Sequence, residues 1–122
     1  MESIVSTDTL PKMGVGPAGS FATFFHGDHH DVKDVSLMLG ELQPGEGPPL
    51  HRHSYDELFV IHEGIARFTI NGNTFVATTG QIVVARSGEP HSFQNSGASL
   101  LKVTAIHAAP KVVIEWVEAP PA

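Results

Sequence analysis

Cysteine is absent from the 122 residues, which excludes disulfides, thiolate metal sites and a cysteine nucleophile. A chain without cysteine suits a reducing compartment, and a cytoplasmic location is expected. No apolar run approaches the roughly 20 residues that cross a bilayer, so no membrane contact is expected. Residues 1–11 have neither a basic start nor an apolar stretch, so no secretory leader is expected. Basic residues are scarce, seven Lys and Arg against 13 Asp and Glu for a net charge of −6. That balance argues against nucleic acid as a partner, because binding a phosphate backbone needs a basic face. Helical patterning is also missing: no stretch repeats apolar residues at i, i+3, i+4 and i+7.

What is present is a globular composition, 41% hydrophobic and 16% charged, in a chain long enough for one domain with its own core. Short stretches rich in Val, Ile, Phe and Thr recur, each closed by a turn signal. They predict strands over 20–25, 35–42, 50–53, 57–62, 65–70, 73–77, 81–85, 91–95, 100–107 and 112–117. Asn71-Gly72 carries the strongest hairpin signal, a type I′ turn with positive φ at both positions. Many short strands with frequent turns imply an all-β antiparallel sandwich or barrel. Residues 1–19, mixed in Ser, Thr, Pro and Gly, read as an N-terminal arm. Residues 20–118 read as the domain, and the Pro-rich 119–122 as a flexible tail.

Eight histidines are spread through the chain, and histidine is the commonest metal ligand. His51 and His53 stand two apart, so in a strand they share a face while Arg52 points away. A turn of three residues, 54–56, then leads to Glu57. If the chain doubles back there, Glu57 faces the two imidazoles, and two nitrogens with one carboxylate suit Fe(II) and similar divalent ions. An H-x-H pair alone more often marks two surface histidines than a metal site. His26, His29 and His30 also cluster, but their spacing fits no strand or helix face, and a polar loop is the expected reading. His107 receives no role.

The spacing of these residues resembles the cupin superfamily. Gly45, His51, His53, Glu57 and Gly64 match its first motif, G-x5-H-x-H-x3–4-E-x6-G. Gly80, Gly88, His91 and Asn95 match its second, G-x5-P-x-G-x2-H-x3-N. The departure is Arg86, where the family usually has a proline that shapes a turn. The resemblance implies a jelly-roll β-barrel and a third histidine ligand, His91. It thus implies one divalent transition metal held by His51, His53, Glu57 and His91, with two positions open to substrate or O₂; Fe, Mn, Ni, Co, Cu and Zn all accept these donors. The motif glycines and Asn95 are expected to be structural.

With Glu57 inward, strand alternation also places Phe59 and Ile61 inside, and His91 does the same for Phe93. The likeness to small cupins turns Leu101, Val103 and Ala105 inward. Met38, Phe59, Phe93, Val103 and Ala105 are the candidate pocket residues. Arg67 and Arg86 are weak candidates for an anion. Glu57 and Tyr55 are the candidate catalytic groups, Glu57 as ligand or base and Tyr55 as a hydrogen-bond donor near the mouth. The outward residues Leu58 and Val60 are apolar, so that face is expected to be covered, and small cupins imply a homodimer. The favoured function is a dioxygenase-like enzyme acting on a small organic molecule. The alternatives are a non-redox isomerase, lyase or cyclase on a small acid or sugar, and a small-molecule-binding protein without turnover.

Overall fold

Residues 2–14 and 20–118 are described by the computed structural model. The strands in chain order are β1 (Lys12–Gly14), β2 (Phe21–Phe25), β3 (Ser36–Leu42), β4 (His51–Arg52), β5 (Glu57–Glu63), β6 (Ile65–Ile70), β7 (Asn73–Thr78), β8 (Ile82–Ala85), β9 (His91–Asn95), β10 (Leu101–His107) and β11 (Glu115–Trp116). Two short 3-10 turns, Thr7–Thr9 and Gly27–His30, accompany them, and no α-helix occurs among the described residues.

The strands form a six-stranded sheet in the order β1-β2-β3-β10-β5-β8 and a five-stranded sheet in the order β11-β4-β9-β6-β7. Every pairing is antiparallel. This is the all-β jelly-roll architecture that the sequence implies. The inner faces meet in one core of Phe59, Ile61, Phe68, Phe93, Leu101 and Val103. Strand alternation selects these residues: along β5, Glu57, Phe59 and Ile61 are buried while Leu58 and His62 are exposed. Phe59 lies edge-on to Phe68 and Phe93, with centroids 5.1 and 5.3 Å away, a favoured aromatic geometry.

The turns fix the register. Asn71 and Gly72 have φ of 51° and 84°, as a type I′ turn requires, and they set Ile70 opposite Asn73. Gly64 joins β5 to β6 at φ 105°, and a Cβ there would sit 3.1 Å from the Leu100 carbonyl oxygen and from Leu101 Cα. Asn95 is structural: its amide donates to the Leu42 and Ser99 carbonyls at 2.9 and 2.7 Å and its oxygen accepts from Gly97 N–H.

The ends of the chain differ from expectation. Lys12–Gly14 lies in the region read as an arm, yet it pairs with β2 and extends the six-stranded sheet, because the exposed edge of β2 offers unpaired backbone groups. The strand expected over 112–117 shrinks to Glu115–Trp116. The backbone of Val112 and Val113 is instead engaged by side chains: Val112 N–H donates to His26 Nδ1, and the Val113 carbonyl accepts from His53. The tail 119–122 and residues 15–19 lie outside the described residues.

Gly64→Ala is expected to lower stability in urea unfolding by about 2 kcal/mol, since it combines a left-handed φ with a backbone clash. Gly72→Ala, whose Cβ meets nothing within 4 Å, is expected to cost about 1 kcal/mol.

Candidate metal centre

His51 and His53 come from β4 and the residue just after it, Glu57 opens β5 and His91 opens β9. His51 and His91 are register partners, so the pairing of β4 with β9 sets two imidazoles side by side. All four residues are buried, and one ligand atom from each lies within 4.8 Å of the others. Opposed ligands about 2.1 Å from a shared ion stand about 4.2 Å apart, so the cluster is already close to the size of a coordination sphere.

The hydrogen bonds set the tautomers. His51 Nδ1 donates to the Pro49 carbonyl at 2.8 Å, His53 Nδ1 to the Val113 carbonyl at 2.6 Å, and His91 Nδ1 to the Glu89 carbonyl at 3.0 Å. A neutral imidazole whose Nδ1 carries the proton presents a lone pair at Nε2. Yet His53 Nε2 and His91 Nε2 each lie 3.0 Å from Glu57 Oε1, and only the His91 contact is a hydrogen bond. A lone pair on His53 Nε2 and the carboxylate oxygen facing it in a buried site repel unless a cation lies between them. Consistent with that need, His53 Nε2 is close to the carboxylate but has no aligned hydrogen bond, and it stays a buried nitrogen without a hydrogen-bond partner.

The electrostatics agree. Burial, with the neighbouring His91, pushes His51 down to about 4, so it is a neutral ligand at physiological pH. Burial opposes ionisation of Glu57, but the close imidazoles of His107, His53 and His91 outweigh it and hold the carboxyl well below its ordinary range. Burial likewise opposes a charge on His91, and the Glu57 carboxylate overcomes it and raises its pKa. A field that draws a proton to His91 also draws a divalent cation. Three imidazoles and a carboxylate therefore fit a borderline transition metal.

A fourth imidazole belongs to the centre. His107, at the end of β10, is Glu57's register partner across the sheet, and its Nε2 lies 3.0 Å from Glu57 Oε2. The inward parity of Leu101, Val103 and Ala105, continued two residues, points to it. Tyr55 is half-buried, and its hydroxyl meets His107 Nδ1 at 2.8 Å. Burial pushes the phenol up to about 12, with the Glu57 charge adding to it against the Val113 hydrogen bond, so Tyr55 remains a protonated donor.

A cavity of about 40 Å³ adjoins the centre and is lined by His51, His53, Glu57 and His107. Met38 and Phe93 line it, while Phe59, Val103 and Ala105 pack in the core. Met13, Phe24, Leu42, Val112, Ile114 and Trp116 also line it; the short edge strand and the 112–116 segment carry several of these and were not legible as pocket elements. Arg52 pairs with Glu115 at 3.1 Å near the surface, and Arg67 and Arg86 are exposed. The cluster His26-Gly27-Asp28-His29-His30 forms a 3-10 turn in which His26 Nδ1 accepts from the backbone, a structural arrangement.

Elemental analysis after reconstitution is expected to find about one metal per chain, and His51→Ala is expected to lose most of it. Equal metal content in both proteins would contradict the assignment.

Comparison with known proteins converges on the same reading. The family model described as Cupin domain matches residues 38–107. The chain is 28% identical over 115 residues to auxin-binding protein 1 of Arabidopsis thaliana, covering 86% of this chain and 58% of that protein. It is 26% identical over 106 residues to the HTH-type transcriptional regulator PuuR of Escherichia coli (strain K12), covering 85% of this chain and 55% of the regulator. The chain thus spans little more than half the length of these relatives. The structure of Lactobacillus farciminis oxalate decarboxylase in its formate complex superposes with a TM-score of 0.80 at 19% identity, over 90% of this chain and 34% of that one; at that identity the likeness concerns the fold. The matched segment takes in all four clustered residues and more than half of the sequence, and the chain belongs to the cupin family.

Proposed function

We propose that the chain is a metal-dependent oxygenase for a small, largely apolar organic substrate bearing an oxygen donor. The observation that carries this reading is the cavity. It opens directly onto the three-histidine, one-glutamate cluster, and among the described residues no lysine or arginine lines it. A substrate there is held by apolar contact and by one or two oxygen atoms, not by an ion pair. The chemistry supplied by a bound divalent metal is polarisation of a substrate oxygen and, for a redox-active ion, activation of O₂.

The chain's own residues provide the surroundings. Met38, Leu42, Phe93 and Trp116 exclude water and orient the organic part of the substrate. A cavity of about 40 Å³ holds about three water-sized groups, so a larger substrate has to displace part of its wall. Tyr55 is not among the lining residues; its hydroxyl acts on the centre through His107. The absence of cysteine supports a cytoplasmic setting.

A second reading, ligand binding without turnover, is supported by the likeness to a protein whose name is auxin-binding and to a transcriptional regulator. Oxygen-electrode assays on protein loaded with Fe, Mn or Zn, using small enols, diketones and phenols, separate the readings. The oxygenase is expected to consume O₂ in step with substrate when loaded with a redox-active metal, and to stop under nitrogen. Turnover that persists without O₂ points to non-redox chemistry. Saturable binding of an auxin with no turnover supports the binding protein.

A homodimer belongs to the same proposal. Phe25, Leu37, Ile106, Leu58 and Val84 are successive register partners across β2, β3, β10, β5 and β8. They form an apolar stripe on the outer face, where Leu58 and Val84 are 37% and 38% exposed. A second copy covering that stripe would bury it. Sedimentation is expected to give a dimer, and Leu58→Glu with Val84→Glu a monomer; an unmodified chain that sediments as a monomer contradicts this.

A further inference from the structure

We propose that His107, with its proton fixed by Tyr55, is a positioning residue that reserves Glu57 Oε2, so that Glu57 ligates the metal through Oε1 alone. The inference rests on the metal reading and on no particular reaction.

The argument is the direction of the hydrogen bonds. Tyr55 Oη accepts from Val113 N–H at 3.1 Å. Its own proton has two acceptors within reach, His107 Nδ1 at 2.8 Å and the Val113 carbonyl at 3.4 Å, and the shorter contact takes it. His107 Nδ1 is then an acceptor, which places the ring's proton on Nε2, and Nε2–H donates to Glu57 Oε2 at 3.0 Å. In the three ligand histidines Nδ1–H is instead spent on backbone carbonyls; Nε2 of His53 has no hydrogen-bond partner, and Nε2 of His91 meets Glu57 Oε1 at 3.0 Å. His53 and His91 therefore approach the carboxylate at Oε1, and His107 alone, through its Nε2–H, approaches it at Oε2.

The division has a consequence at the metal. A carboxylate free at both oxygens can close onto an ion with both and occupy two positions. With Oε2 held by a buried N–H, the second oxygen is unavailable, and a position facing the cavity stays open. His107 is 2% exposed and Glu57 also 2%, so no bulk water competes for the Oε2 bond. Outer partners of this kind set ligand orientation and metal affinity.

The test compares full-length wild type, His107→Leu, His107→Gln and Tyr55→Phe by Co(II) titration, reading affinity and the visible d–d spectrum. His107→Gln keeps an N–H near the position of Nε2, and it is expected to hold wild-type affinity and spectrum. His107→Leu is expected to bind Co(II) about 10–100-fold more weakly and to shift the d–d bands as Glu57 changes from one to two ligating oxygens. Tyr55→Phe is expected to shift them in the same direction by less. Native affinity and bands in His107→Leu overturn the proposal. If thermal unfolding shows that His107→Leu does not fold, Tyr55→Phe decides alone: shifted bands support the proposal and native bands overturn it. Failure of the wild type itself to bind Co(II) would instead remove the metal reading beneath it.

Discussion

A single buried carboxylate organises this molecule. Glu57 is almost wholly removed from solvent, and an ionised carboxylate in that position is costly unless it is compensated. His53 and His91 approach Oε1 and His107 approaches Oε2, each at 3.0 Å. Each imidazole is in turn fixed by a backbone carbonyl or by the Tyr55 hydroxyl. Among the described residues, no lysine or arginine pairs with the carboxylate. Glu57 faces imidazoles whose Nδ1 protons are largely spent on the backbone, an arrangement that suits a divalent cation.

The barrel makes this possible by register. The β10–β5 pairing sets His107 opposite Glu57, and the β4–β9 pairing sets His51 opposite His91. Both pairs depend on strand alternation, so a slip of one residue in either sheet would turn the ligands outward. The Asn71-Gly72 turn, the Gly64 junction and the Asn95 side chain hold that register from outside the site. The segment after β10 closes the structure, as Val113 orients both His53 and Tyr55 while Ile114 and Trp116 wall the cavity.

Much of this is legible in the sequence because it depends on local spacing. The period of two puts His51 and His53 on one face, and the motif spacing adds Glu57 and His91. The hairpin turn is encoded in two residues. What escapes is set by long-range pairing. His107 sits 50 residues beyond Glu57 in sequence, and its role exists only because β10 lies beside β5. The parity of Leu101, Val103 and Ala105 points inward and, continued, reaches His107; nothing local says that a carboxylate waits there. The same parity overreached for the pocket: Phe59, Val103 and Ala105 do point inward, but alternation cannot distinguish a packed core from a cavity wall. Lys12–Gly14 carries a weak strand pattern, and the 112–117 segment a strong one of which only Glu115–Trp116 pairs; both acquire their places from the edges they meet.

The central claim is that three imidazoles and one carboxylate converge on one ion. X-ray absorption of the zinc- or manganese-reconstituted protein tests it most directly. The account predicts a first shell of nitrogen and oxygen only, with outer-shell scattering from three imidazoles. A shell with one imidazole or none, as a metal held by carboxylates or by an exposed histidine on the surface would give, would contradict it.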